Sequence, residues 1–200
     1  MSELLPLTRA LAPGTVPRPV RYGDTLQAIL GGSSIDLHRI GDRWAIDVVT
    51  GRLKPEPDGR RWVAALIRSI GADVRMKWPQ PGFDVRSPGP YVVDGGDQQG
   101  SVLQLRGGGP WGYAAQEGQF FNLIHNGRRY LKMVTQRALT GTDGALTVNF
   151  WPMLRIIPAD GDMIDFADPQ IEGVLTGQEA GWTLQRAQTA GLKFTITERE

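Results

Sequence analysis

The chain contains no cysteine, which excludes a disulfide framework, thiolate metal sites and a cysteine nucleophile. Histidine is almost as scarce. His38 and His125 are the only two, and neither has a partner at ligand spacing, so a zinc site lacks its donor set. No charge of one sign dominates, because 22 Lys and Arg stand against 21 Asp and Glu. Without a strong field, nothing points to specific nucleic acid or to an acidic membrane surface. No stretch approaches the ~20 apolar residues of a membrane span. The opening segment MSELLPLTRALAPGTVPRP has no long apolar core behind basic residues, so it reads poorly as a secretion signal.

What is abundant is punctuation. Across 200 residues, 26 Gly and 14 Pro accompany six Trp, a composition that suggests many turns around a β-rich core. Between Gly118 and Leu175 the turns are well marked. Phe120, Phe121, Leu123 and Ile124 lead into His125-Asn126-Gly127, and a second apolar run follows at Tyr130, Leu131, Met133 and Val134. Asn-Gly between two such runs predicts a hairpin, because both residues accept positive φ. Asp143-Gly144 then opens the alternation Leu146, Val148, Phe150, which is the period of a half-buried strand. Pro152 ends it.

The first eighty residues read as arm, hairpin, helix and strand. In the arm, Pro6, Pro13, Pro17 and Pro19 oppose a continuous helix. Its leucines favour an extended segment, residues 2–20, that packs on its own domain or crosses to a neighbouring subunit; a disordered leader is the other reading. Ile35 and Leu37, then Gly41-Asp42, then Trp44, Ile46 and Val48 predict a second hairpin. Trp62, Val63, Leu66, Ile67 and Ile70 recur at helical spacing over about 58–70, with Trp62, Leu66 and Ile70 expected in the core and Gly71 as the C-cap. Pro79 to Gly100 is Gly-, Pro- and Asp-rich and reads as a linker, and Ser101–Arg106 as a strand. Leu192, Phe194 and Ile196 lack strand partners within the middle module. The economical arrangement is a frame of residues 1–85 and 177–200 interrupted by a β insertion at 90–176.

Candidate chemistry is thin. His38 in an alternating strand and His125 at a hairpin tip both read as exposed structural residues. No G-x-S-x-G elbow occurs, and nothing ties a serine to either histidine. Asp160, Asp162, Asp165 and Asp168 are laid out like a sparse calcium loop but lack the closing glutamate, so they read as acidic turn residues. Gly107 to Gly112 has no following lysine or helix, so it is a poor phosphate loop. Trp111 and Tyr113 could stack on sugar rings or bases, with Arg128, Arg129 and Lys132 near in sequence. Trp111, Tyr113, Arg128 and Arg129 are therefore the candidate ligand or partner contacts, the other reading of the aromatics being that they cover an open barrel end. No catalytic residue, metal ligand or cofactor is assigned.

Two stretches together resemble the distal tail proteins of long-tailed (siphovirus-type) phages and prophages. One is RWAIDVVTGRLKPEPDGRRWVAALIRSIGADVRMKW. The other runs from GSVLQLRG through EGQFFNLIHNGRRYLKMV to TDGALTVNFWPMLRIIPADGDMIDFADPQIEGVL. The resemblance covers about residues 35–200 and rests on the order and spacing of parts; Glu117-Gly118-Gln119 stands where Gly-Asp is usual. It implies a mainly β fold with one short helix, made of a β-sandwich-like ring domain and an inserted small barrel, OB-like or galectin-like. It also implies a structural virion protein without catalytic residues, made in the bacterial host cytoplasm. The expected partners are further copies of itself in a ring, a hexamer by resemblance, together with tail tube and hub proteins at the tail tip. The runner-up is a carbohydrate-binding module, or a tip-associated hydrolase, acting through the insertion.

Overall fold

The computed structural model describes residues 2–6, 11–27, 31–37, 40–107, 111–177, 184–185, 188–189 and 191–199. These residues form a mainly β protein with one α-helix, an open six-stranded sheet and a closed six-stranded barrel, as the turn-rich composition predicts. In the open sheet the order is Glu3–Leu4, Val74–Lys77, Gln170–Thr176, Lys193–Glu198, Arg43–Val49, Val16–Val20. The barrel runs Phe120–His125, Arg128–Gln136, Leu146–Trp151, Val102–Gly107, Tyr91–Val93, Met163–Asp165 and back to the start.

Local turn chemistry behaves as the sequence suggests. Asn126 and Gly127 take positive φ of 50° and 76°, and the strands they join pair in register from His125↔Arg128 to Phe120↔Met133. Leu146, Val148 and Phe150 point into the barrel with Phe121, Leu123 and Val134. The helix occupies Arg60–Arg68 and buries Trp62, Ala65 and Leu66, with the Trp62 ring 5.9 Å from that of Phe194 in the sheet. Ile70 departs from the expectation and is 65% exposed. The helix stops at Ser69, and Gly71 turns the chain at a φ of 80°, so Ile70 lies past the last helical turn and off the buried stripe.

Strand pairing is where local reading fails. The hairpin expected across Gly41-Asp42 does not form: Ile35–Leu37 pairs with Asp24–Leu26. Arg43–Val49 instead has Val16–Val20 on one edge and Lys193–Glu198 on the other. Trp44, Ala45, Ile46 and Val48 are buried, so this strand needs a backbone partner on both sides. Val16–Val20 reads VPRPV, and Pro17 and Pro19 have no N–H to donate, which confines it to the sheet's edge. Along its described length the arm pairs with strands of its own chain. Glu3–Leu4 runs parallel to Val74–Lys77, Leu5 is buried in the core, and Arg68 Nη2 donates to Glu3 Oε1 at 2.7 Å.

The far boundary of the insertion and the extent of the linker differ from those expected. Within the presumed linker, Tyr91–Val93 is a barrel strand with two buried residues. At the other end, Gln170–Thr176 lies in the open sheet between Val74–Lys77 and Lys193–Glu198. A side chain at Gly173 would collide with the carbonyl of Thr197, so glycine is what lets these two strands meet there.

The sheet and barrel share one core. Register places Trp44, Ile46, Val48, Phe194, Ile196 and Met76 on one sheet face. Against their cluster pack the helix and the barrel's outward residues Leu131, Phe120, Met133 and Trp151. Trp44 stands edge-on to Trp151, Phe120 and Trp78, with ring centroids 4.8, 5.1 and 5.6 Å away. The fully buried Asn122 adds a polar clamp, its amide nitrogen donating to Gln170 O at 2.8 Å and its oxygen accepting from Gln170 N at 2.6 Å.

Candidate functional site

Among the described residues, a buried charge cluster and two grooves combine polar groups with unusual surroundings. The cluster sits at the joint between sheet and barrel. Glu198 closes the Lys193–Glu198 strand and is 1% exposed, as is Lys132 of the barrel. Glu198 accepts from Leu131 N at 2.8 Å and Trp44 N at 3.3 Å, and Arg155 Nη2 lies 2.9 Å from its Oε1. Lys132 faces inward beside Phe121 in register and donates to the carbonyls of Pro152 and Met153 at 3.0 and 2.9 Å. Burial pushes Lys132 down to about 7, against the pull of Glu198. Burial likewise raises the Glu198 carboxyl above its ordinary value, opposed by Arg155 and Lys132. Perturbed groups often mark active sites. Here both are sealed from solvent and spent on backbone groups of two strands and of the segment after Trp151, which makes the cluster a structural joint.

The first groove, about 460 Å³, lies between Phe83–Ser87 and the Trp111–Gln119 segment. Phe83 and Val85 are half-buried along it, while the Trp111 ring is 76% exposed. Asp84, Arg86 and Gln116 supply polar groups. Arg86 takes a positive φ of 58°, and its N–H donates to Asp84 Oδ1 at 2.9 Å, an Asx turn that sets the loop. Tyr113 parts company with Trp111. It is 7% exposed and packs against Tyr91 and Phe166; its hydroxyl accepts from Gln119 Nε2 at 2.8 Å. Tyr113 closes the barrel end, and Trp111 alone offers an open aromatic face.

The second groove, about 540 Å³, is lined by Asp73, Arg75, Arg128, Glu172 and Arg199. The two grooves share no lining residue, so the four candidate contact residues are not brought together. Arg128 belongs to the second groove and pairs with Asp73 at 3.4 Å. Arg129 is engaged elsewhere, its Nη1 3.0 Å from Asp165 Oδ2.

The remaining candidates resolve individually. His125 is half-buried rather than exposed. Its Nδ1 lies 2.6 Å from Asp162 Oδ2, and Asn126 Nδ2 lies 2.9 Å from its Nε2. With Asn126 donating, the ring proton sits on Nδ1 facing the carboxylate, and neither nitrogen faces a nucleophile. His38 lies outside the described residues. Each aspartate of the acidic run serves a turn or a cation: Asp160 accepts from Gly95 N and pairs with Arg106, Asp162 accepts from Ala159 N, Asp165 from Asp168 N, and Asp168 pairs with Lys77. Sequence reasoning missed Arg75, Arg199 and the Phe83–Ser87 loop, and no motif could have joined them, since the groups of each groove come from distant segments. Among the described residues no helix is long and apolar enough to cross a membrane. No family model matches the chain, and no curated protein matches it.

Proposed function

We propose that the chain is a structural assembly subunit, a distal-tail-type ring component joining a phage tail tube to the tip. The observation that carries this reading is the hairpin of Asp24–Leu26 and Ile35–Leu37, which among the described residues pairs with no further strand. Leu26 and Ile35 are 54% and 59% exposed, and Leu37, Ile40 and Tyr22 extend the apolar surface. Leu26 and Ile35 stand opposite each other in register; exposed apolar pairs of this kind suit an interaction site, and a ring needs such a surface on every subunit. Pro17 and Pro19 leave the Val16–Val20 edge of the open sheet short of backbone donors, so on this reading contact through the hairpin runs through its side chains. The triple variant Leu26→Ser/Ile35→Ser/Leu37→Ser is expected to sediment as a monomer with an unchanged melting temperature, whereas the native chain forms a higher-mass ring. A native chain that stays monomeric at high concentration, or a variant that assembles equally well, defeats the reading.

The open face of Trp111 favours a second function, sugar binding by the first groove. Aromatic faces with planar polar neighbours suit a pyranose ring. On this reading Trp111→Ala should abolish retention on polysaccharide affinity gels without altering the melting temperature; equal retention of native and variant chains would remove it.

A further inference from the structure

Arg75 projects from Val74–Lys77 into the second groove. It is half-buried, its Nε is enclosed, and its side chain makes no hydrogen bond or ion pair with any described residue. Its register partner across the sheet is Glu172. That carboxylate is 8% exposed and is committed elsewhere, accepting from the backbone N–H of Arg129 at 3.0 Å. The other carboxylate, Asp73, is shared loosely: Arg128 Nη2 stands 3.4 Å away and Arg199 Nη1 3.3 Å. Both distances lie beyond the range of good N–H···O bonds. Among the described residues, three guanidinium groups thus face two carboxylates, and the Arg75 side chain is the one that meets neither. Withdrawing such a group from water is costly unless an anion meets it. Gly71 and Gly127 stand on the rim, and a Cβ at either would meet nothing within 4 Å, so the mouth stays open.

We propose that this groove is an oxyanion site, taking one phosphate or carboxylate group against Arg75 with Arg128 and Arg199 beside it. The guanidinium fork presents parallel donors that match both groups. The site is independent of the ring reading and of the Trp111 groove. Occupancy would also draw Arg128 and Arg199 away from their loose contacts with Asp73, linking the hairpin turn at Asn126-Gly127 to the C-terminal segment through the ligand.

The test is calorimetric titration of the full chain with inorganic phosphate and, in parallel, with acetate, at constant ionic strength. Saturable binding of one anion per chain is expected, and whichever anion binds more tightly identifies the ligand group. Arg75→Gln should weaken it by about tenfold or more, the scale of a charge-assisted pair. Because Arg75 is half-buried, the more exposed Arg199→Gln repeats the measurement and should weaken binding by a smaller factor. Trp111→Ala should bind as the native chain does. The proposal is overturned if neither anion saturates the native protein. It is equally overturned if folded Arg75→Gln binds unchanged, or, should that variant fail to fold, if Arg199→Gln does.

Discussion

Trp44→Ala is expected to destabilise the protein by about 3–5 kcal/mol, the usual cost of emptying a buried aromatic site. At this chain length that lowers the melting temperature by about 10 °C. The effect is large because Trp44 is the meeting point of two bodies. Its ring touches Trp78 of the sheet side and Phe120 and Trp151 of the barrel wall, and edge-on ring pairs contribute about 0.5–1.5 kcal/mol beyond burial. Differential scanning calorimetry also reads the coupling. The native chain should melt in one transition, and Trp44→Ala in two, as sheet and barrel lose their common core. A variant that melts within a degree or two of the native chain would show that the joint is held elsewhere.

Glu198→Ala should cost a comparable ~3–5 kcal/mol, because removing one partner of a buried ion pair leaves its cations without a counter-charge. Arg155 would lose its counter-charge, and the N–H groups of Leu131 and Trp44 would lose their acceptor. The same cluster fixes a pH dependence. Lys132 has its ordinary value of 10.5 when unfolded and about 7 when folded. Between these values the unfolded chain binds the extra proton, so stability rises with pH across that window, by about 1.4 kcal/mol for each tenfold difference in proton affinity. Glu198 runs the other way. Its raised folded value means that its contribution is present at low pH and is lost as pH rises above the ordinary carboxyl range. Lys132→Met isolates the lysine: the native-minus-variant difference in unfolding free energy should climb from pH 7 towards pH 10. A flat difference would mean that Lys132 remains protonated in the folded protein.

Much of the fold was legible where the signal was local. Asn126-Gly127 and the alternation of Leu146 to Trp151 specified their strands through backbone sterics and side-chain period. The helix announced itself through Trp62 and Leu66. Pairing was less accessible, since Arg43–Val49 finds Lys193–Glu198 across some 145 residues, and nothing in either segment names the other. Tyr91–Val93 was hidden because a three-residue strand between Pro90 and Asp94 has no period to detect. Lys132 misled for a different reason. In RRYLKMVTQ both faces are buried, Leu131 against the sheet and Lys132 within the barrel, so alternation of polarity no longer reports which side meets water. The candidate residues suffered likewise. Arg128 was visible as a cation on a hairpin, but its meaning depends on Arg75 and Arg199, which only the tertiary fold brings to the same groove.

The barrel's outer wall carries a consequence for any attempt to move it. Leu131, Phe120, Met133 and Trp151 face the sheet's cluster, so a barrel cut out at residues 91–165 would display a greasy stripe where its neighbour had been. Transplanted into another protein it would aggregate, or would select a host offering a matching apolar bed. The portable unit is therefore the whole chain, and a graft that keeps the barrel alone must first replace that stripe with polar residues and give Asn122 a new backbone to hold.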